Sequence, residues 1–113
     1  MNQNRNKLID LFIGNISNAI IHKILENAIK DENIRLRYEK ELTNSMEIAL
    51  SYRHKINPVN IKLPEKDVNY IKGKIIKRVK AELKSRINKG YKGIELNSIE
   101  IIMERILKQT KVI

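Results

Sequence analysis

The chain has no cysteine and no tryptophan, and a single phenylalanine, Phe12. Without cysteine, disulfides, thiolate metal sites and cysteine nucleophiles are excluded. With so few aromatic rings, the core has to be branched aliphatics packed against one another. No segment shows sustained strand alternation or a hairpin signal, and no repeat or low-complexity tract is evident. There is no Walker pattern and no Ser-His-Asp order, and the glycines of Lys89-Gly90-Tyr91-Lys92-Gly93 lack the strand that precedes a phosphate-binding turn. The first residues faintly resemble a signal peptide, but Asp10 interrupts the apolar run Leu8 to Ile13 and no small-residue cleavage site follows. No uninterrupted apolar stretch approaches the roughly 18 residues needed to span a bilayer. The expectation is a cytoplasmic, soluble protein.

What is present is 113 residues, 42% of them hydrophobic. That length is one domain, and a domain of this size buries roughly two-thirds of the surface its unfolded chain exposes. Abundant Asn, Lys and Ile suggest an AT-rich coding sequence, which bears on composition and not on function. The expected fold is all-α: a compact four-helix bundle in a single domain over residues 1–113, with helices at roughly 7–30, 32–56, 64–89 and 98–109.

In the first segment, Ile9, Ile13, Ile16, Ile20 and Ile24 follow helical spacing, while Leu11, Ile21, Leu25 and Ile29 fall outside that stripe. A helix apolar over most of its circumference is central in a bundle or shared with another molecule. Gly14 inside it fits a close approach of two backbones. Asp31, Glu32 and Asn33 can break or cap the chain before a second helix carrying Ile34, Tyr38, Leu42, Met46, Ala49, Leu50 and Ile56 at helical intervals; whether the two helices are separate or one bent rod stays open. Tyr38 and Tyr52 read as core-edge residues. Asn57-Pro58 ends the second helix, because the residue before a proline is pushed out of the helical region. Residues 58–63 read as an extended connection, and Pro64 as the first residue of a third helix, with Glu65 and Asp67 complementing its dipole. Val68, Ile71, Ile75, Ile76, Val79, Leu83 and Ile87 form its apolar arc, and Gly90 its left-handed cap. Asn97 with Glu100 resembles a capping box for a fourth helix bearing Ile99, Ile102, Met103, Ile106 and Leu107.

Charge carries the functional signal. Residues 1–57 hold nine Lys or Arg and seven acids, whereas residues 58–113 hold fourteen and six. Between Lys66 and Lys92 stand ten cations against Asp67 and Glu82. On a wheel of 100° per residue, Lys74, Lys77, Arg78, Lys80 and Lys84 lie opposite the apolar arc of the third helix, with Tyr70 among them; Lys72 and Arg86 point toward the arc and snorkel at its edge. Lys89 and Lys92 extend the patch, and Tyr91 between them has a ring able to stack on an unpaired base, or else to cover the helix end. A duplex carries about one charge per 1.7 Å of axis, so such a face matches phosphates without fixed register. Lysine outnumbers arginine four to one among these five residues, which favours backbone contact over guanine readout. The alternative is an ordinary solvating face. Against it stands the second helix, where the same lysine-rich composition is cancelled: five acids and five bases lie between Asp31 and Asn57.

Other constellations are weaker. His22 and Glu26, four residues apart, offer two metal ligands where a structural site needs about four. His54 beside Arg53 complements a helix C-terminus. Glu39 and Glu41 have bases adjacent or one turn away and, with Glu47, read as surface residues rather than a catalytic pair. No catalytic residue, metal or cofactor is expected. The leading expectation is a non-enzymatic protein binding DNA or RNA, or belonging to a ribonucleoprotein, through Lys74, Lys77, Arg78, Lys80, Lys84, Lys89, Lys92, Tyr70 and Tyr91. The rival is a small adaptor, or a homodimer, docking through residues 8–29. A membrane surface ranks last, since the third helix has neither Trp nor Phe beside its cations.

Overall fold

The computed structural model describes residues 4–58 and 61–113. The first three residues of the faint leader-like start, and Val59 and Asn60 within the expected extended connection, lie outside the described residues. The chain forms four helices: α1 (Arg5–Ala28), α2 (Glu32–Ile56), α3 (Glu65–Asn88) and α4 (Ser98–Gln109). No strand occurs among the described residues.

Each boundary has a local cause. Asn4 caps α1, its side chain accepting from the Asn6 N–H. No proline or glycine separates α1 from α2; the break is made by Asp31, whose carboxylate accepts from the N–H groups of Asn33 and Ile34. The two helices are therefore separate. Asn57 is extended, as a residue preceding proline should be. Beyond it the Ile61 N–H donates to the Pro58 carbonyl at 2.9 Å. Pro64 sits one position before α3 rather than inside it. At the other end Gly90, with φ of 101°, donates to the Ile87 carbonyl while Tyr91 donates to that of Arg86, which is a Schellman ending. The expected capping box of α4 does not form. Asn97 has helical dihedrals and makes no side-chain cap, and Ser98 Oγ donates to the Glu95 carbonyl instead.

Contacts between helices fix their directions. Arg5 meets Asp67, Asp10 meets Tyr70 and Gly14 lies beside Arg78, so residue numbers rise together and α1 and α3 are parallel. Lys72 pairs with Glu104, and Lys80 lies beside Glu100, so α4 runs against α3. α2 turns back along α1, bringing Glu41 to His22. α1 touches all three other helices, whereas α2 packs on α1 alone. The result is a four-helix bundle measuring 45 × 24 × 23 Å with α1 at its centre.

Three neighbours explain the apolar circumference of α1. Leu8, Ile9, Phe12, Ile13, Ile16, Ala19, Ile20, Ile21, Ile24 and Leu25 are all buried, and Leu11 and Ile29 are half-buried. The 24-residue helix is long and apolar enough to cross a bilayer by length and composition, but here most of it is the core of the bundle. The aliphatics that suggested docking through residues 8–29 are thus covered by this chain itself. In α3 the buried line is Ile71, Ile75, Val79 and Leu83; Ile87 is exposed because α4 begins level with Lys80 and leaves the last turn of α3 uncovered. All five expected apolar residues of α4 are buried. α2 differs most from expectation. Its seam against α1 is Ser45, Ala49, Arg53 and Ile56, while Leu42, Met46 and Leu50 only flank it and Ile34 is exposed.

Gly14 also differs from expectation, since the close neighbour is a side chain. A Cβ there would stand 3.0 Å from Arg78 Nη1. The close backbone approach occurs at Gly93, which lies against Ala28.

Candidate functional site

α3 lies at the edge of the bundle, and covering it on the α1 and α4 sides leaves one long flank in solvent. Lys74, Lys77, Arg78, Lys80 and Lys84 are all exposed on α3, and Lys89 and Lys92 are exposed in the turn that follows. Among the described residues no carboxylate comes within 4 Å of any of these seven cations. Three of the six acids of this half, Asp67, Glu82 and Glu104, pair with other cations instead. Lys72 meets Glu104 at 2.8 Å, Arg86 meets Glu82 at 3.0 Å and Arg5 meets Asp67 at 2.6 Å. Lys72 and Arg86 are half-buried, in keeping with the wheel.

Lys66 belongs to the same flank. It is exposed and unpaired among the described residues, and eleven positions before Lys77 its helical angle differs from that of Lys77 by only about 20°. The same 100° step that groups the other cations therefore places Lys66 on the face as well. From Lys66 to Lys84 the row extends about 27 Å at 1.5 Å per residue. The turn at 89–93, with Lys89 and Lys92 exposed, follows directly on the end of the helix.

The remaining members of the face are not equivalent. Arg78 sits at its α1 edge, with its guanidinium against the helix backbone at Gly14. Lys80 lies at the α4 edge beside Asn97 and Glu100. The Tyr70 hydroxyl donates to Asp10 Oδ1 at 2.9 Å, which raises its pKa above the ordinary phenol value, and Lys74 Nζ stands 5.7 Å from the ring centre. Tyr70 is therefore tied to α1 and brings an exposed carboxylate to the rim of the basic face. Tyr91 has one ring face occupied by the Arg86 guanidinium, 5.5 Å from its centre, and 39% of the residue is exposed. It covers the end of α3 and keeps an open edge.

A second polar locus lies between α1 and α3, where Asn18, Ile21, His22, Arg78, Ala81, Glu82 and Arg86 line an open groove of about 360 Å³. His22 Nε2 is 3.3 Å from Glu41 of α2, and its ring lies 5.7 Å from that of Tyr38. Burial pushes the His22 pKa below the ordinary value; Glu41 opposes that shift and Arg86 reinforces it. The neighbour of His22 is thus Glu41 on another helix, not Glu26 on its own.

Comparison with family models, with curated proteins and with solved structures finds no match to this chain.

Proposed function

We propose that this protein binds nucleic acid through the solvent flank of α3 and the turn after it, as a non-enzymatic cytoplasmic module or part of a ribonucleoprotein. One observation carries the reading. Along α3 the cations stand exposed with no carboxylate within 4 Å of them among the described residues, while Glu104, Glu82 and Asp67 are engaged by Lys72, Arg86 and Arg5. A face of that kind raises the local concentration of a polyanion and releases condensed counter-ions when it binds. Lys74, Lys77, Lys80 and Lys84 contact phosphates as point charges; Arg78 at the α1 edge contributes the one guanidinium fork. Lysine predominance predicts weak sequence preference, with selectivity coming from the shape of the ligand.

The test is a salt titration of binding to labelled duplex DNA, single-stranded DNA and structured RNA. Five phosphate contacts on B-DNA give a slope of log affinity against log salt of about −4.5. The triple variant Lys74→Glu, Lys77→Glu, Lys84→Glu is expected to lose binding while keeping the helical circular dichroism and cooperative melting of the parent. A folded triple variant that binds all three ligands as tightly as the parent at low salt would refute the assignment.

A further inference from the structure

Each of the four glycines can be asked why it is not another residue, and three have an answer inside this chain. Gly90 and Gly93 have φ of 101° and 81°, where side chains are strained. Gly14 faces Arg78 Nη1 at a distance that would crowd a Cβ. Gly73 has no such answer. It lies in the interior of α3, and a Cβ placed on it meets nothing within 4 Å. Only proline is worse than glycine inside a helix. Composition does not supply it either, because glycine codons begin with two guanines and run against the Asn-, Lys- and Ile-rich usage of this chain.

The position of Gly73 is informative. At helical spacing it is surrounded on the outer flank by Asn69, Tyr70 and Lys77, with Lys66 and Lys80 seven residues away on either side. It is a notch that exposes the α3 backbone in the middle of the cationic row. Glycine at an exposed site is the residue that lets another backbone come close. We infer that a nucleic-acid strand seats directly on α3 at Gly73, with sugar and phosphodiester atoms against the bare helix backbone and neighbouring phosphates taken by Lys74 and Lys77. The inference rests on the nucleic-acid reading above and adds where the strand touches the protein and how closely.

Gly73→Ala and Gly73→Leu test it, because stability and binding are expected to move in opposite directions. Alanine and leucine favour the helix, so both variants should melt above the parent. Binding to the duplex, single-stranded and RNA ligands at one fixed salt concentration should nonetheless weaken, by about five-fold for alanine and by more than about ten-fold for leucine, as expected when contacts worth roughly a kcal/mol or more are lost. The ligand with the largest loss identifies the strand form that enters the notch. Parent-like affinity in both glycine variants, alongside lost binding in the triple glutamate variant, overturns this inference and leaves the broader reading standing. A parent protein that binds none of the ligands at low salt overturns both.

Discussion

Arg53 is a cation buried without a carboxylate. Its side chain is fully covered, and it donates to the carbonyl and the side-chain oxygen of Asn57, to the Ile61 carbonyl at 2.9 Å and to the Lys111 carbonyl at 2.8 Å. Burial lowers its pKa, but a guanidinium remains charged at any ordinary pH. One side chain thus ties together the end of α2, the segment leading to α3 and the residues after α4. Lys111, whose carbonyl it holds, is the only non-glycine residue with positive φ among those described, at 61°; its N–H donates to Lys108 and that of Val112 to Leu107, so α4 ends in a Schellman motif built on lysine. Arg53→Met should fill most of the volume and leave three carbonyls without donors. Breaking a buried polar network of this kind costs about 2–4 kcal/mol. A lower urea midpoint with unchanged slope, and faster amide exchange at Val112, are the expected readouts. An unchanged midpoint would show that the oxygens find water once the guanidinium is gone.

For α3, the charge density that suits a polyanion works against the helix. Lys66, Lys74, Lys77, Arg78, Lys80 and Lys84 repel one another on one flank, and among the described residues none has a carboxylate within 4 Å. Like charges three or four residues apart each cost a few tenths of a kcal/mol, and salt screens them over a Debye length of about 10 Å at 0.1 M. Raising NaCl should therefore raise the melting temperature of the free protein while it weakens nucleic-acid binding. Lys77→Glu, which places a carboxylate three residues from both Lys74 and Lys80, should add about 0.5 kcal/mol of stability at low salt. A melting temperature that falls with salt would contradict the repulsion argument. The same helix was the most legible part of the sequence, because its apolar arc and its cations obey one 100° step and its end is marked by Gly90. α4 was legible for the same reason, although its cap was not. α2 was harder to read, since its seam is Ser45, Ala49 and Arg53: small or charged residues at i, i+4 and i+8 carry no apolar signal, and the larger Leu42, Met46 and Leu50 draw the eye to the flanks. The α1–α2 break has no proline or glycine and depends on where one Asp31 carboxylate points. In the site, the exposure of each lysine followed from spacing. The seating of Arg78 over Gly14 and the bond from Tyr70 to Asp10 did not, because both need the parallel placement of α1 against α3.

Taken as a whole, the molecule is a short rod whose centre is one apolar helix and whose net charge of +10 is concentrated in its second half. α2 has no helix other than α1 to hold it, so the few polar links that reach it count for more than their number. One set lies where α1, α2 and α3 converge: His22 stands between Glu41 and Tyr38 of α2, and Arg86 of α3 reaches toward the Tyr38 hydroxyl at 3.5 Å. His22 Nδ1 is buried and without a partner, so protonation there would add a donor with nothing to accept it. With burial holding the folded pKa below the ordinary 6.5, the unfolded chain binds a proton more readily than the native one. Stability from this group is therefore fully present above about pH 6.5 and declines as pH falls below it. Urea midpoints measured from pH 7.5 to 5 should drop on acidification in the parent, and less steeply in His22→Gln, whose side chain does not titrate. The difference between the two curves isolates the imidazole from the carboxylates, and its sign is the decisive quantity. A parent that gains stability relative to His22→Gln as pH falls would mean that the attraction to Glu41 outweighs burial, and that the link between α1 and α2 tightens in acid.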